Sequence, residues 1–177
     1  GFLEPPAAVA HWTEEGITVW SAKQSPYFHY RHLAACFNLP LSKIRVIQPF
    51  IGGGFGGTKN DSVGADFCAV LFSKRYGKPV KYQYSMEEVF TTCRRRHNFT
   101  IVARMGMKKD GTITALQNTA YAEGGAYTVI GPLTLYLSGA YTTLPYKIPN
   151  FKYDACRIFT NHPSGAAMRG HGVTHTR

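Results

Sequence analysis

The feature that most constrains this chain is a glycine-rich segment, GGGFGG, at residues 52–57. It follows a β-branched run at residues 44–50, which has the length and flanks of a buried strand, and it precedes a helical pattern. Glycines let the backbone adopt positive φ and approach a ligand with no Cβ in the way. Backbone N–H groups in such a turn can also point at one anion or oxygen atom. The segment predicts either a ligand-binding loop or a glycine hinge between a strand and a helix.

The spacing of Gly52, Gly54 and Gly57 satisfies the G-x-G-x-x-G fingerprint of dinucleotide-binding folds. That fingerprint also requires an acidic residue about 20 residues further on, at the end of the second strand. The acidic residues at positions 61, 87 and 88 come too early or too late for that role. The motif is therefore weak evidence for a Rossmann site.

Hydrophobic periodicity and turn signals predict an alternation of strands and helices. Strands are expected at residues 17–21, 44–50, 80–84 and 151–159, and a hairpin at residues 98–107 and 112–121 around the turn Lys108-Lys109-Asp110-Gly111. Helices are expected at residues 26–37, from 63 to about 74, and at 86–92, whereas residues 124–143 show a mixed pattern. This order predicts an α+β fold with mixed sheets and packed helices, with sub-lobes at 1–95 and 96–177.

Composition narrows the class of protein. Of the 177 residues, 44% are apolar and 17% are charged, which favours a folded core over disorder. No apolar run approaches the roughly 20 residues that a membrane span requires. The four cysteines have no zinc or iron–sulfur spacing, so we expect buried free thiols in a reducing, cytoplasmic compartment.

The net charge of +10 suggests an anionic partner. Only Arg94, Arg95 and Arg96 form a basic run, and the other basic residues are scattered, as on a solvated face. A basic nucleotide- or nucleic-acid-binding module that uses the glycine-rich segment is therefore the alternative function.

Five motifs in order carry a family resemblance: Leu3-Glu4-Pro5, Val19-Trp20-Ser21-Ala22-Lys23-Gln24, residues 51–57, Tyr146-Lys147-Ile148-Pro149-Asn150 and Ala167-Met168-Arg169-Gly170-His171-Gly172. With them the chain resembles the molybdenum-binding subunit of the xanthine dehydrogenase, aldehyde oxidase and carbon monoxide dehydrogenase family. The Arg-Gly-His-Gly form of the last motif is most similar to the 4-hydroxybenzoyl-CoA reductase branch. The resemblance implies that residues 1–177 are a segment of a larger molybdopterin-binding domain of a longer chain.

The resemblance also implies roles for Gln24 and for individual residues of the glycine-rich segment. Gln24 matches the family glutamine whose amide hydrogen-bonds an oxo ligand of molybdenum. Gly54, Phe55 and Gly56 match the loop that lies against the metal's oxygen ligand and the pterin. Read without the resemblance, Gln24 could instead cap the following helix, and Phe55 could be a core residue.

The last motif supplies a second set of expected site residues. Arg169 matches the arginine beside the metal site, and we expect His171 and Tyr136 to line the substrate pocket. Tyr127 and Tyr141 would extend an aromatic wall. The alternatives are a structural histidine at 171, a surface ion pair for Arg169, and core packing for each tyrosine. Thr58-Lys59-Asn60-Asp61 replaces the Lys-Glu of purine-oxidising members, so xanthine is not the expected substrate.

The implied enzyme is a molybdenum-dependent oxidoreductase acting on an aromatic, N-heterocyclic or aldehyde substrate, or on an aromatic acyl-CoA by reductive dehydroxylation. The implied cofactor is molybdopterin, in its simple or cytosine dinucleotide form, with no protein side chain ligating the metal directly. We expect [2Fe–2S] and FAD on partner subunits or domains, a higher oligomer and no nucleic acid. The family's general-base glutamate is expected beyond Arg177, so this segment holds no catalytic residue of its own.

Overall fold

The computed structural model of the chain describes residues 3–56 and 64–176. Gly57 of the glycine fingerprint, the segment Thr58-Lys59-Asn60-Asp61 and Val63, the expected first residue of a helix, lie outside the described residues. The chain divides into two units, Gly1–Cys93 and Arg94–Arg177. We call them the first and the second unit.

Among its described residues, the first unit contains a four-stranded sheet and three α-helices. Its strands are β1 (Ala7–Thr13), β2 (Gly16–Ser21), β3 (Ile44–Ile47) and β4 (Val80–Gln83), in the order β3-β2-β1-β4. Its helices are α1 (Pro26–Phe37), α2 (Ala65–Tyr76) and α3 (Met86–Thr92). β1 is antiparallel to both β2 and β4, whereas β3 is parallel to β2.

The core of the first unit lies between this sheet and the helices α1 and α2. Alternate residues of β2, including Ile17 and Val19, are buried, as expected for a strand with one face on a core. They pack in one cluster with Leu33 of α1 and Val70 of α2, which are 0% exposed. Burying each large side chain contributes roughly 1.5–3 kcal/mol. This packing fixes the sheet ends from which the candidate site is built.

The observed sheet differs from the sequence prediction in two ways. β1 was not predicted, because its sequence AAVAHWT is rich in alanine, which has low strand propensity, and it follows two prolines. β3 ends at Ile47 rather than at residue 50, and it is a half-exposed edge strand rather than a buried one. Since β3 and β4 occupy opposite edges of the sheet, they are not the adjacent strands of a dinucleotide-binding βαβ unit.

The second unit contains a three-stranded sheet, a two-stranded sheet and one α-helix among its described residues. The larger sheet has the order β6 (Asn98–Met107), β7 (Ile113–Gly125), β8 (Asn150–Phe159), antiparallel and then parallel. The smaller one pairs β5 (Arg95–Arg96) in parallel with β9 (Gly165–Ala166). The helix α4 (Gly131–Ala140) lies in the region whose pattern was mixed.

α4 packs against the larger sheet through tyrosine and serine. The hydroxyls of Ser138 on α4 and Tyr153 on β8 are 2.5 Å apart. The Tyr153 ring lies against Gly139, where a Cβ would come within 2.7 Å of Tyr153 Cε1.

The predicted α+β class, with mixed sheets and packed helices, is confirmed, as are the hairpin and the helices at 26–37 and 86–92.

The cysteines differ from their prediction. All four are free, but only Cys93 is buried, while Cys36 and Cys156 are exposed.

None of the helices within the described residues has the length and apolarity needed to cross a membrane.

Candidate functional site

Sheet topology brings Gln24 to the glycine-rich segment. Trp20 of β2 pairs in parallel with Ile47 of β3, so the C-terminal ends of both strands lie side by side. Gln24 lies just after β2, and residues 52–56 lie just after β3. The parallel pairing therefore explains why residues far apart in sequence meet.

The contact between Gln24 and the glycine-rich segment is close and specific. The backbone N–H of Gly56 donates a hydrogen bond to Gln24 Oε1 at 3.0 Å. A Cβ on Gly54 would lie 2.5 Å from Gln24 Cδ, so a side chain at position 54 would displace the glutamine. Ser25, not Gln24, is the N-cap residue of α1. The alternative in which Gln24 caps that helix is wrong.

This hydrogen bond fixes the orientation of the Gln24 amide. Because a backbone N–H can only donate, the side-chain atom facing it is the oxygen. The Nε2 group of Gln24 then faces away from Gly56 and keeps its N–H donors for another acceptor. Gln24 as a whole is exposed. The arrangement suits a ligand that presents an oxygen atom.

Phe55 has an unusual backbone for a bulky residue. Its φ is 52°, in the left-handed region that such residues seldom adopt, and strain of this kind concentrates at ligand-binding positions. Its ring lies over Gly53, where a Cβ would come within 2.6 Å of Phe55 Cε2. The side chain is 47% exposed, so the core-residue alternative for Phe55 is wrong.

Two backbone N–H groups of the segment already have protein acceptors. Gly52 N–H donates to the carboxylate of Glu4, and Gly56 N–H donates to Gln24. The N-terminal turn of α2, where a dinucleotide fold would hold a pyrophosphate, carries the buried carboxylate of Asp66. These contacts disfavour the phosphate-cradle interpretation of the glycine motif.

A buried ionic cluster holds the chain immediately before Gln24. The Ser21 hydroxyl donates to Asp66 Oδ1 at 2.6 Å, and Lys23 Nζ lies 2.6 Å from Asp66 Oδ2. His29 Nε2 is 3.4 Å from the same oxygen. Burial lowers the pKa of His29 to about 4, although Asp66 opposes that shift, so this histidine is neutral at pH 7. The cluster ties the end of β2 to α2.

In the second unit, Arg96 organises the segment that contains Arg169 and His171. Its guanidinium donates to the backbone oxygen of Arg169 and to the hydroxyl of Thr174. Gly172 packs against the backbone of α4, where a Cβ would lie 2.6 Å from Ser138 N. The Gly-His-Gly turn is therefore held between an arginine and a helix.

His171 is held by a buried threonine of α4. Its Nε2 lies 2.7 Å from the hydroxyl of Thr134, which is 0% exposed. Burial, and secondarily the charge of Arg94, lower the pKa of His171. The imidazole is therefore neutral at physiological pH, with its Nε2 held by the Thr134 hydroxyl.

The aromatic residues of this unit are mostly exposed. Tyr127 and Tyr136 are 74% and 69% exposed, so the core-packing alternative is wrong for both. Tyr136 lies on α4, the helix that also supplies Thr134 to His171. Exposed tyrosines combine an apolar ring with a polar hydroxyl, which suits contact with an aromatic ligand.

The basic run is engaged in contacts within its own unit, with Arg94 buried and Arg95 and Arg96 half-buried. Arg94 is 7% exposed, Arg95 Nη2 lies 2.9 Å from Glu123 Oε1, and Arg96 binds the 169–174 segment. These arginines are engaged within the unit, which disfavours a nucleic-acid surface built on them.

Within residues 3–56 and 64–176, no group of three or more His, Cys, Asp or Glu side chains is arranged to hold a metal ion.

Sequence reasoning assigned no role to Glu4, Arg96 or Thr134. Each acts through contacts with residues 37 to 78 positions away in the sequence. Glu4 contacts Gly52, and Thr134 contacts His171. Arg96 contacts Arg169 and Thr174. No local spacing or periodicity encodes such contacts. The sequence offered two signals: Glu4 belongs to the motif Leu3-Glu4-Pro5, and Arg96 belongs to the basic run 94–96, which suggested a nucleic-acid surface instead.

Residues 1–176 match the family model of the molybdopterin cofactor-binding domain. The chain is 38% identical over 173 residues to the nicotinate dehydrogenase large molybdopterin subunit of Eubacterium barkeri, covering 97% of this chain and 40% of that protein. It is 37% identical over 164 residues to the xanthine dehydrogenase molybdenum-binding subunit of Escherichia coli O157:H7, covering 92% and 22% respectively.

Solved structures show the same fold. The CO dehydrogenase of Oligotropha carboxidovorans matches with a TM-score of 0.88 at 27% identity, over 99% of this chain and 22% of that one. The aldehyde oxidoreductase of Desulfovibrio gigas matches with a TM-score of 0.90 at 22% identity, over 99% and 19%. The chain spans well under half of each relative. It belongs to the molybdopterin cofactor-binding domain family.

Proposed function

We propose that this chain is the part of a molybdenum-dependent oxidoreductase that holds molybdopterin, and that the whole enzyme acts on a small aromatic, N-heterocyclic or aldehyde substrate. The observation that carries the proposal is the contact between Gln24 and Gly56, which turns the amide oxygen of the glutamine toward the backbone and its N–H donors away from Gly56. Family membership and the named activities of the relatives support the same reaction class.

The residues of the first unit fit the cofactor. Because Gly54 has no Cβ, the Gln24 side chain can pack directly against the backbone of the glycine-rich segment, where it would face the cofactor. Gln24 would donate a hydrogen bond to an oxygen of the cofactor, and Phe55 and Gly56 would lie against it. When bound, molybdopterin supplies two-electron redox chemistry that protein side chains cannot perform.

The residues of the second unit would bind the cofactor and orient the substrate. Arg169 would add a positive charge for the cofactor's anionic groups, with its backbone held by Arg96. His171, neutral and hydrogen-bonded to Thr134, would use its other ring nitrogen to orient a substrate. Tyr136 would present its ring to an aromatic substrate. Positioning of this kind is the protein's share of a cofactor-dependent reaction.

Further parts of the proposal concern the whole enzyme. The relatives are named as large or molybdenum-binding subunits, which supports partners that carry [2Fe–2S] and FAD. We place the enzyme in the cytoplasm as a higher oligomer, with its general-base glutamate in the chain beyond Arg177. The nicotinate dehydrogenase relative makes an N-heteroaromatic acid the first substrate to assay, with an aromatic acyl-CoA second.

The test uses the full-length protein, produced in a host that synthesises molybdopterin. Molybdenum per chain is measured by mass spectrometry for the wild type and for Gly54→Ala, whose Cβ would collide with Gln24. Gln48→Ala is the control, because Gln48 is exposed and lies just after β3, between that strand and the glycine-rich segment. We expect metal in the wild type and the control and a large loss in Gly54→Ala. A wild type that carries nicotinamide dinucleotide and no molybdenum would contradict the proposal.

A further inference from the structure

The segment at residues 52–56 is held at both ends by side chains from elsewhere in the sequence. At its far end, Gly56 N–H binds Gln24 at 3.0 Å. At its near end, Gly52 N–H donates to the carboxylate of Glu4. The Glu4 side chain fills the space beside Gly52, where a Cβ would lie 3.1 Å from Glu4 Cδ and closer still to its oxygen. We refer to residues 52–56 as the glycine loop.

The β1–β2 hairpin explains why these two side chains act on the same loop. Ala8 of β1 pairs with Ser21 of β2 at the end of the hairpin opposite its turn. Glu4 precedes β1 and Gln24 follows β2, so both emerge at that end. β3 is parallel to β2 and delivers the glycine loop to the same place. The sheet therefore supplies one anchor for each end of the loop.

From these contacts we propose that Glu4 is a positioning residue, which holds the glycine loop in its ligand-binding shape before any ligand arrives. That the ligand is molybdopterin rests on the function proposed above. A carboxylate is a strong acceptor for a backbone N–H, because the hydrogen bond is charge-assisted. With Glu4 at Gly52 and Gln24 at Gly56, the loop does not have to be ordered by its ligand, which improves affinity.

The chemistry of the anchor predicts which substitutions matter. Glu4→Ala removes the acceptor and leaves Gly52 N–H without that partner. Glu4→Gln keeps a side-chain oxygen at nearly the same position and should restore most of the effect, with a weaker neutral hydrogen bond. Glu14→Ala is the matched control, since Glu14 lies in the turn at the other end of the same hairpin.

The first measurement does not involve the cofactor. Full-length protein is made in a host that cannot synthesise molybdopterin, and hydrogen–deuterium exchange is followed in the peptide covering residues 51–56. We expect about tenfold faster exchange in Glu4→Ala, corresponding to one lost hydrogen bond, and little change in Glu4→Gln and Glu14→Ala. A general loss of structure would accelerate exchange in the strands too, so β1 and β2 peptides are monitored in parallel.

The second measurement is molybdenum per chain in protein from a competent host. We expect a severalfold loss in Glu4→Ala, partial recovery in Glu4→Gln and wild-type content in Glu14→Ala. Unchanged loop exchange in Glu4→Ala overturns the positioning role. An exchange difference in a protein whose wild type carries no molybdenum supports the positioning role and overturns the cofactor assignment instead.

Discussion

Lys23 Nζ lies 2.6 Å from Asp66 Oδ2 in the interior of the first unit, where the two side chains are only 6% and 2% exposed. Lys23 immediately precedes Gln24, and Asp66 lies in the first turn of α2. The pair therefore ties the position of a candidate cofactor-binding residue to the packing of a helix. Buried pairs of this kind are costly to break, because the remaining charge stays out of water.

Asp66→Ala is expected to destabilise the first unit by about 3–5 kcal/mol, because it leaves Lys23 buried without this carboxylate. Urea unfolding followed by tryptophan fluorescence measures the effect, since Trp12 and Trp20, the only tryptophans of the 177 residues, both lie in this unit. Asp154→Ala removes an exposed partner of Lys152 and should cost less than about 1 kcal/mol. Equal effects of the two substitutions would contradict this prediction.

The stability of the first unit should fall between about pH 6.5 and pH 4 because of His29. Its pKa is about 4 in the folded chain and 6.5 ordinarily, so the unfolded chain binds the proton first as the pH falls. The expected decrease in the free energy of unfolding is about 2–3 kcal/mol. It is absent above about pH 7 and nearly complete at about pH 4. His29→Gln should flatten the pH dependence of the urea midpoint. The same change at exposed His32 should leave the slope as in the wild type.

Gln24→Glu separates the two tasks of the glutamine. The carboxylate still accepts a hydrogen bond from Gly56 N–H, so the glycine loop should keep its exchange protection, but the N–H donors are gone. We expect kcat/KM of the full enzyme to fall about 100-fold, as when a hydrogen-bond donor to a reacting group is removed. Gln48→Glu, an exposed change just after β3, is the control. Full activity in Gln24→Glu would show that its N–H donors are not used.

Thr134→Val should impair the orientation of His171 without affecting cofactor binding. Valine has nearly the shape of threonine but lacks the hydroxyl that lies 2.7 Å from His171 Nε2. The expected result is about a tenfold loss of kcat/KM at unchanged molybdenum content, equivalent to one hydrogen bond. Thr128→Val, at an exposed position ahead of α4, should have no effect. A loss of molybdenum in Thr134→Val would assign the residue to cofactor binding instead.

Local signals predicted those elements whose structure is determined locally. Pro26 at the first turn predicted helix α1, and the turn Lys108-Lys109-Asp110-Gly111 predicted the β6–β7 hairpin, because both signals act within a few residues. β1 escaped prediction because its alanines become a strand only by pairing with β2 and β4 on both sides. α4 escaped because its mixture of small and apolar residues has no clear period.

For the candidate site, the sequence indicated individual residues but not the contacts between them. Family resemblance pointed to Gln24 and Gly56, but not to the hydrogen bond between them, which joins residues 32 positions apart. The anchoring contact of Glu4 depends on the parallel pairing of β2 and β3, which no pattern in the sequence specifies. The roles proposed for Arg169, His171 and Tyr136 stay predictions until the variants are measured.

The strand order β3-β2-β1-β4 has a consequence for biosynthesis. As the nascent polypeptide leaves the ribosome, β1 can pair at once with β2, but its other edge waits until α2 and β4 have been translated. During that interval β1 presents an unpaired row of backbone groups, which is a template for intermolecular association. Slower translation between β2 and β4 should therefore lower the yield of folded protein, and chaperones that cover exposed strand edges should restore it.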